Sequence, residues 1–486
     1  MGKPEILAKI YREIESSLKI NIQYRLFLGC LLLFLGCSKD QQPDPFPDNL
    51  RGNVNRWILD SLHRYYYWSD EITKHVDPNL EPVAYFEQLL SPKDRFSWIS
   101  NRSNHAPKSN SFFIYGFHYA IVSLDELNGE YLAVITDVNP SGAANAKGLK
   151  RGDCFIAVNG IAINQANITQ VNKILNDNDL NTLELLPVQL SDPIDTLPAI
   201  QLNRGYAGAD AIRFTRIFKG NAKTTGYLYY TSFDENYDGL LINAFSKLKE
   251  AGANELILDL RYNAGGSVAT AAKLATLITG ELQGQDVFAV YAGNKYEGTH
   301  PQKLNDVLST SSNNLGKQYS QLAPYSLKLQ RVFILTTGGT VSASELLINN
   351  LKPYLQVVQI GSTTEGKDEA SFLIKDVDND LQDHWQMQPT VYKLLNARMQ
   401  GAYDQGIAPT YTVNELSKLP LAALDSEDDP LLLKALQLIY GSQFPWPATE
   451  LKKVGAGKWH TRTLFESSAK LAQESSVLLI PKPGTN

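Results

Sequence analysis

Three short apolar runs, each followed at once by a glycine-bearing loop, constrain this chain more than any other feature. ELILDL runs into RYNAGGSV, RVFILTT into GGTVSASE, and QVVQIGS into TTEGK. Short apolar runs without polar alternation fit strands buried on both faces. Stretches with helical spacing lie between them: LLINAFSKLKEAGA, ATAAKLATLITG and SELLINNLKPY. Alternation of strand and helix argues for a largely parallel sheet covered by helices, so residues 215–440 read as an α/β domain. In such sheets ligands bind beyond the carboxyl ends of the strands, where the three loops should converge.

The chain is longer than this domain. At roughly 100–200 residues per domain, 486 residues suggest about three domains. Hydrophobic residues make up 43% and charged ones 20%, which supports sizeable cores and excludes wholesale disorder. Lys+Arg is 45 against Asp+Glu 51, a net charge of −6, so no nucleic-acid partner is expected. The three cysteines exclude a disulfide scaffold. Seven scattered histidines and the lack of an HExxH motif argue against a zinc hydrolase, and no metal or cofactor is expected.

Residues 26–36, LFLGCLLLFLG, form an apolar run too short to span a membrane, which takes about 20 residues. With Lys19 and Arg25 before it, the run fits the core of a secretory signal. It ends LGC-SKD, similar to the lipobox of bacterial lipoproteins with Cys37 as the lipidated residue, although Phe34 departs from the usual Leu. Cys30 sits in a second LGC, and a plain signal peptide or an uncleaved anchor is the other reading. Residues 1–37 thus read as a signal segment with a lipobox-like end, and the expectation is an exported protein whose mature chain begins at the lipidated Cys37 and is held by it at a bacterial membrane. Residues 38–49, SKDQQPDPFPDN, read as a flexible spacer.

Residues 50–105 read as a helical N-terminal region: Val54, Trp57, Ile58 and Leu62 recur at helical spacing, and YYYWSD reads as core packing. Residues 112–205 change character. FIYGFHYAIVSL and EYLAVITDV read as strands, and NPSGAANAKGLKRGDCFIAVNG follows with glycine turns and a short helical stretch. This order resembles a PDZ domain, with Tyr115, Gly116 and Phe117 matching the loop that holds a peptide carboxylate. Such domains bind a peptide C-terminus by adding it as a strand. Cys154, in the strand CFIAV, reads as a buried inert thiol. Residues 441–486 show no clear pattern beyond VLLIP and read as a C-terminal extension.

The second glycine loop places Ser342 and Ser344 at a helix start. Free backbone amides and the positive end of the helix dipole there can stabilise an anion on a substrate carbonyl. A plain helix cap is the commoner use of such a serine. The third loop carries Lys367 between Gly366 and Asp368. Burial lowers a lysine pKa, and a neutral amine can take a proton from a serine hydroxyl, a known variant of the serine–histidine arrangement. Taken alone, Lys367 reads rather as a surface lysine in a glycine turn.

Several segments in order resemble one family. LILDLRYNAGG, TVSASE, IGSTTEGK and QGIAPTYTV, with a PDZ-like module and the aromatic YYYWSD and RFSWI segments before them, are similar to the carboxy-terminal processing peptidases. These are also called tail-specific proteases and are related to the core of tricorn protease. The resemblance covers roughly residues 50–440. It implies a multi-domain α+β protein: a helical N-terminal region, a β-rich PDZ-like module and an α/β (ClpP/crotonase-like) serine peptidase domain. It implies Ser342 as nucleophile and Lys367, 25 residues on, as general base. The Ala343 amide becomes one oxyanion donor and an amide at Gly265 or Gly266 the other. Many members carry a glutamine four residues after the lysine; Ser371 stands there, with a shorter reach. Ser344 then keeps a capping role.

Two functions follow. One is an exported serine endopeptidase that cleaves protein or peptide chains, near C-termini among other places, through an acyl-enzyme. The other is an inactive, PDZ-bearing, peptide-binding scaffold of the cell envelope. Retention of Ser342 and Lys367 favours the first.

Overall fold

The computed structural model describes residues 46, 50–101, 110–125, 130–177, 179–191, 193–205, 208, 210–220, 222–376, 385–441 and 459–469. Cys30, Cys37 and the VLLIP run lie outside the described residues.

Helices α1 (Leu50–Tyr65) and α2 (Pro82–Leu89) open the chain. Pro82 at the start of α2 lacks an N–H the first turn could not have used. Val54, Ile58, Leu62, Tyr66, Tyr85 and Phe86 bury one face of this pair in the largest core of the molecule. The region is not wholly helical. Strand β1 (Trp98–Asn101) follows and pairs antiparallel with Trp385–Gln388, so a distant segment supplies its partner.

The second module is β-rich: α3 (Ser111–Ile114), β2 (Phe117–Leu124), β3 (Glu130–Val138), α4 (Ala143–Ala146), β4 (Cys154–Val158), α5 (Ile168–Leu175) and β5 (Thr182–Gln189). β2 pairs antiparallel with β3, β3 with β4, and β4 with β5. Gly116 has φ +87°, and a Cβ there would lie 2.6 Å from the Gly142 backbone, so only glycine lets α4 approach the start of β2. Cys154 is buried, and burial pushes its thiol well above the ordinary value.

The third module is a six-stranded sheet built from β6 (Ile212–Gly220), β7 (Lys223–Tyr230), β8 (Glu255–Asp259), β9 (Arg331–Thr336), β10 (Gln356–Gly361) and β11 (Tyr411–Thr412). Its order is β11-β10-β9-β8-β7-β6. All neighbours are parallel except β6, which runs antiparallel to β7. Strands buried on both faces explain the continuous apolar runs. Leu256 and Leu258 of β8 face the core shared with α6 (Asp238–Glu250), α7 (Val268–Ile278) and α8 (Ala343–Leu351). Ile257, between them, faces α9 (Pro430–Tyr440) on the other side. Asp429 caps α9 by accepting from the Leu431 and Leu432 N–H groups.

The C-terminal part departs from the sequence reading. Residues 441–486 are expected to be a patternless extension, yet strand β13 (Trp459–Glu466) lies antiparallel on the free edge of β2. A two-residue strand, β12 (Lys418–Leu419), pairs with its other side. The alternation is weak because Trp459 is buried, His460 and Arg462 are exposed, and the remaining side chains are half-buried.

A buried ionic cluster joins the β-rich module to the sheet. Arg261, fully buried just beyond β8, bonds to Asp259, Glu415 and Asp429. Arg151 of the β-rich module reaches the same Glu415 at 2.8 Å and donates to the Tyr262 hydroxyl at 2.9 Å. The glycine loop after β8 is thereby held from the PDZ-like side.

Candidate active site

Ser342 stands at the N-terminus of α8 with φ +61° and ψ −114°, a conformation L-residues avoid. Such strain persists where the surroundings enforce it. Glu345 enforces it here. Its carboxylate reaches back one turn and accepts from the Ser342 N–H at 2.9 Å, as in a capping box. The Ser342 Oγ is fully buried and makes no hydrogen bond of ordinary geometry among the described residues. A buried hydroxyl normally finds a partner.

The same carboxylate organises the lysine loop. Glu345 Oε2 also accepts from the Lys367 N–H at 2.8 Å, while Oε1 accepts from the Gly366 N–H at 2.7 Å and the Thr364 hydroxyl at 2.5 Å. Burial pushes the Glu345 carboxyl above its ordinary value, and the four donors pull it partly back. Lys367 is 5% exposed, so it is not the surface lysine that its glycine-flanked loop also allows. Its Nζ lies 4.5 Å from the centre of the Phe96 ring. Arg95 beside it donates to Glu365 at 2.8 Å. The N-terminal region therefore forms one wall of the lysine loop. The segment containing GIAPT forms another: a Cβ on Gly366 would lie 2.4 Å from the Asp404 carbonyl oxygen, and the Ile407 N–H donates to Thr364 Oγ1 at 2.7 Å.

The first glycine loop closes over the serine. At Gly265 (φ +96°) a Cβ would meet Ser342 Cβ at 2.8 Å and the Ala343 nitrogen at 2.9 Å. The Gly265 N–H is engaged by Asn263 Oδ1 at 2.8 Å. Gly266 (φ +137°) lies against Phe233, and a cleft of about 360 Å³ lined by Phe233, Glu235, Gly266 and Ser267 opens beside it.

Ser344 departs from its expected capping role. Its hydroxyl donates to the Asn263 carbonyl at 3.1 Å and ties α8 to the glycine loop, and the cap position belongs to Ser342. Ser371 is half-buried just after the short strand Glu369–Ala370. In the β-rich module, the Tyr115 and Gly116 N–H groups both donate to the Ser111 carbonyl, at 2.8 and 3.0 Å, and so do not point into an open carboxylate cradle. The Tyr115 and Phe117 side chains are core residues. Glu345, Asn263, Thr364 and Phe96 were outside the sequence expectations. The SxxE spacing of Ser342 and Glu345 was a usable signal for one of them.

Comparison with known proteins divides the chain into the same three parts. Residues 53–98 match the peptidase S41 N-terminal domain, residues 115–185 the PDZ domain, and residues 224–413 peptidase family S41. The chain is thus similar, over these three successive segments, to peptidase family S41 and to C-terminal processing peptidases, with a PDZ domain between the other two matches. It is 26% identical over 255 residues to the chloroplastic C-terminal processing peptidase of Tetradesmus obliquus, covering 51% of this chain and 50% of that one. It is 24% identical over 378 residues to the carboxy-terminal processing protease CtpA of Bacillus subtilis, covering 76% and 72%. The chain thus spans between half and about three-quarters of the length of these relatives. A solved structure assigned as an S41 protease from Bacteroides fragilis superposes with TM-score 0.62 at 24% identity, covering 82% of this chain and 99% of that one, which speaks for the fold.

Proposed function

We propose that this chain is an exported serine endopeptidase that cleaves protein or peptide substrates, near their C-termini among other sites, through a Ser342–Lys367 pair. The observation that carries the reading is the buried Ser342 Oγ, without a hydrogen bond of ordinary geometry among the described residues, at a strained helix start that one carboxylate clamps to the Lys367 loop. A hydroxyl that donates no internal hydrogen bond of ordinary geometry is available to attack a carbonyl.

In this mechanism neutral Lys367 Nζ takes the Ser342 proton as Oγ bonds to the scissile carbonyl carbon. The oxyanion is held by the Ala343 N–H and, because the Gly265 N–H is engaged by Asn263, by the Gly266 N–H. Lys367 returns the proton to the leaving amine, and water then cleaves the acyl-enzyme by the same path. The cleft beside Gly266 receives a substrate side chain. Ser371 is assigned the lesser role of orienting the lysine amine. The α/β domain is read as ClpP/crotonase-like, on the parallel β7–β10 core with the nucleophile at the start of α8.

The same reading places the mature chain on a bacterial envelope membrane, lipidated at Cys37. Mass spectrometry of the mature N-terminus tests this; an unmodified terminus downstream of Cys37 removes the anchor. Hydrolysis of an unfolded protein such as β-casein, compared with Ser342→Ala, tests the activity. Equal product ends from the two proteins would contradict it.

A further inference from the structure

A PDZ-like module receives a peptide as an added strand on the edge of the strand that follows its glycine loop. Here that strand is β2, and its edge is filled. β13 lies on it antiparallel, with Leu124 opposite Thr461, Ser123 opposite Arg462 and Ala120 opposite Glu466. The direction is that of an incoming peptide, running towards Gly116. The chain does not stop there. The Tyr119 N–H donates to Ser467 Oγ at 2.9 Å, and the chain then continues over the loop preceding the nucleophile. A Cβ on Gly339 would lie 2.7 Å from Ser468 Oγ, and one on Gly338 would lie 3.6 Å from Ala469 Cβ.

Two further observations mark this strand as a ligand of the module. The carboxylate loop is closed to a chain end, since the Tyr115 and Gly116 N–H groups donate to Ser111. Within β13 itself few side chains are buried, although β12 pairs with its other edge. Trp459 is the one side chain of β13 that is buried, and Phe465 packs on the module core while half-exposed, its ring 5.7 Å from Tyr119.

We infer that residues 459–469 are the resident ligand of the PDZ-like edge, and that an incoming extended segment binds β2 by exchange with them. On this view the edge selects for strand geometry and needs no free carboxylate, because its own occupant runs through. Departure of the segment uncovers β2 and the Gly338–Gly339 loop together, so occupancy of the PDZ-like module is coupled to access at Ser342. The coupling to catalysis rests on the peptidase reading; the exchange does not.

The test is therefore a binding measurement on the full chain carrying Ser342→Ala, which needs no turnover. Ser123 and Arg462 face each other in the pairing and are not core residues. Ser123→Cys with Arg462→Cys should close a bridge that locks β13 in place, with the bridge verified by mass. The probe is a fluorescent, C-terminally amidated peptide, WHTRTLFESSA, titrated by anisotropy. The reduced protein should bind it at least ten-fold more tightly than the oxidised one. Equal affinity in the two states, or no binding to the reduced state, overturns the exchange. Hydrogen exchange on the unsubstituted chain gives a second readout. β13 amides should exchange at least ten-fold faster than those of β3, on the other side of β2, and equal protection would contradict the inference.

Discussion

The backbone amides of Ser342 and Lys367, 25 residues apart and on different loops, donate to the same oxygen, Glu345 Oε2, at 2.9 and 2.8 Å. One buried carboxylate thus sets the separation of the nucleophile and base loops. Its other oxygen fixes the turn between Thr364 and Gly366.

Glu345→Gln is expected to lower kcat at least ten-fold with little change in KM. An amide cannot accept at both positions, and its NH₂ would face backbone N–H donors. Glu345 acts through Ser342 and Lys367, so the pH profile should keep its shape while its height falls. Steady-state kinetics across pH check this. An unchanged kcat would mean that the clamp is only structural.

Gly265→Ala should inactivate the enzyme. The new Cβ would meet Ser342 and the Ala343 nitrogen below 3.0 Å, at a φ that alanine avoids. Circular dichroism should show the fold retained while hydrolysis is lost. Retained hydrolysis would show that the loop can yield without disturbing the site.

Much of this was legible in the sequence, and the reasons differ by element. The sheet was visible because β8, β9 and β10 are buried on both faces and so read as unbroken apolar runs. The loops that converge on Ser342 were visible because close approach and positive φ demand glycine at Gly265, Gly266 and Gly366. β13 was not visible, since its half-buried face gives no alternation and its partner lies over 300 residues earlier. The hydrogen bonds that close the Tyr115–Gly116 loop were hidden for another reason: they depend on the turn at α3, where the local sequence only repeats the glycine signature.

Arg151→Ala should cost about 3–5 kcal/mol, the usual penalty for breaking a buried ion pair from one side. The loss leaves Glu415 and Asp429 against Arg261 alone. Denaturant unfolding measures it. A change below about 1 kcal/mol would mean that solvent reaches the cluster.

Docking of β13 should weaken as pH rises. Burial, and next the charge of Glu415, push the Glu466 carboxyl up to about 7 from an ordinary 4.5. The docked form therefore holds a proton that the released form gives up. The contribution is fully present below about 4.5 and is lost as pH rises through 7. His118, beside Ser467, stays neutral in this window because burial, with Arg213 nearby, pushes it down to about 3. Exchange protection of β13, corrected for intrinsic rates, should be lower at pH 8 than at pH 5.5. Equal protection would remove Glu466 as the sensor.

The central claim is that Lys367 activates Ser342. The most direct measurement is covalent labelling by a fluorophosphonate, followed by mass spectrometry of the peptide containing Ser342. The unsubstituted chain should carry the adduct on Ser342. Lys367→Ala and Lys367→Arg should not, since neither supplies a neutral amine. Labelling of Lys367→Ala at the unsubstituted rate, on the same serine, would contradict the account.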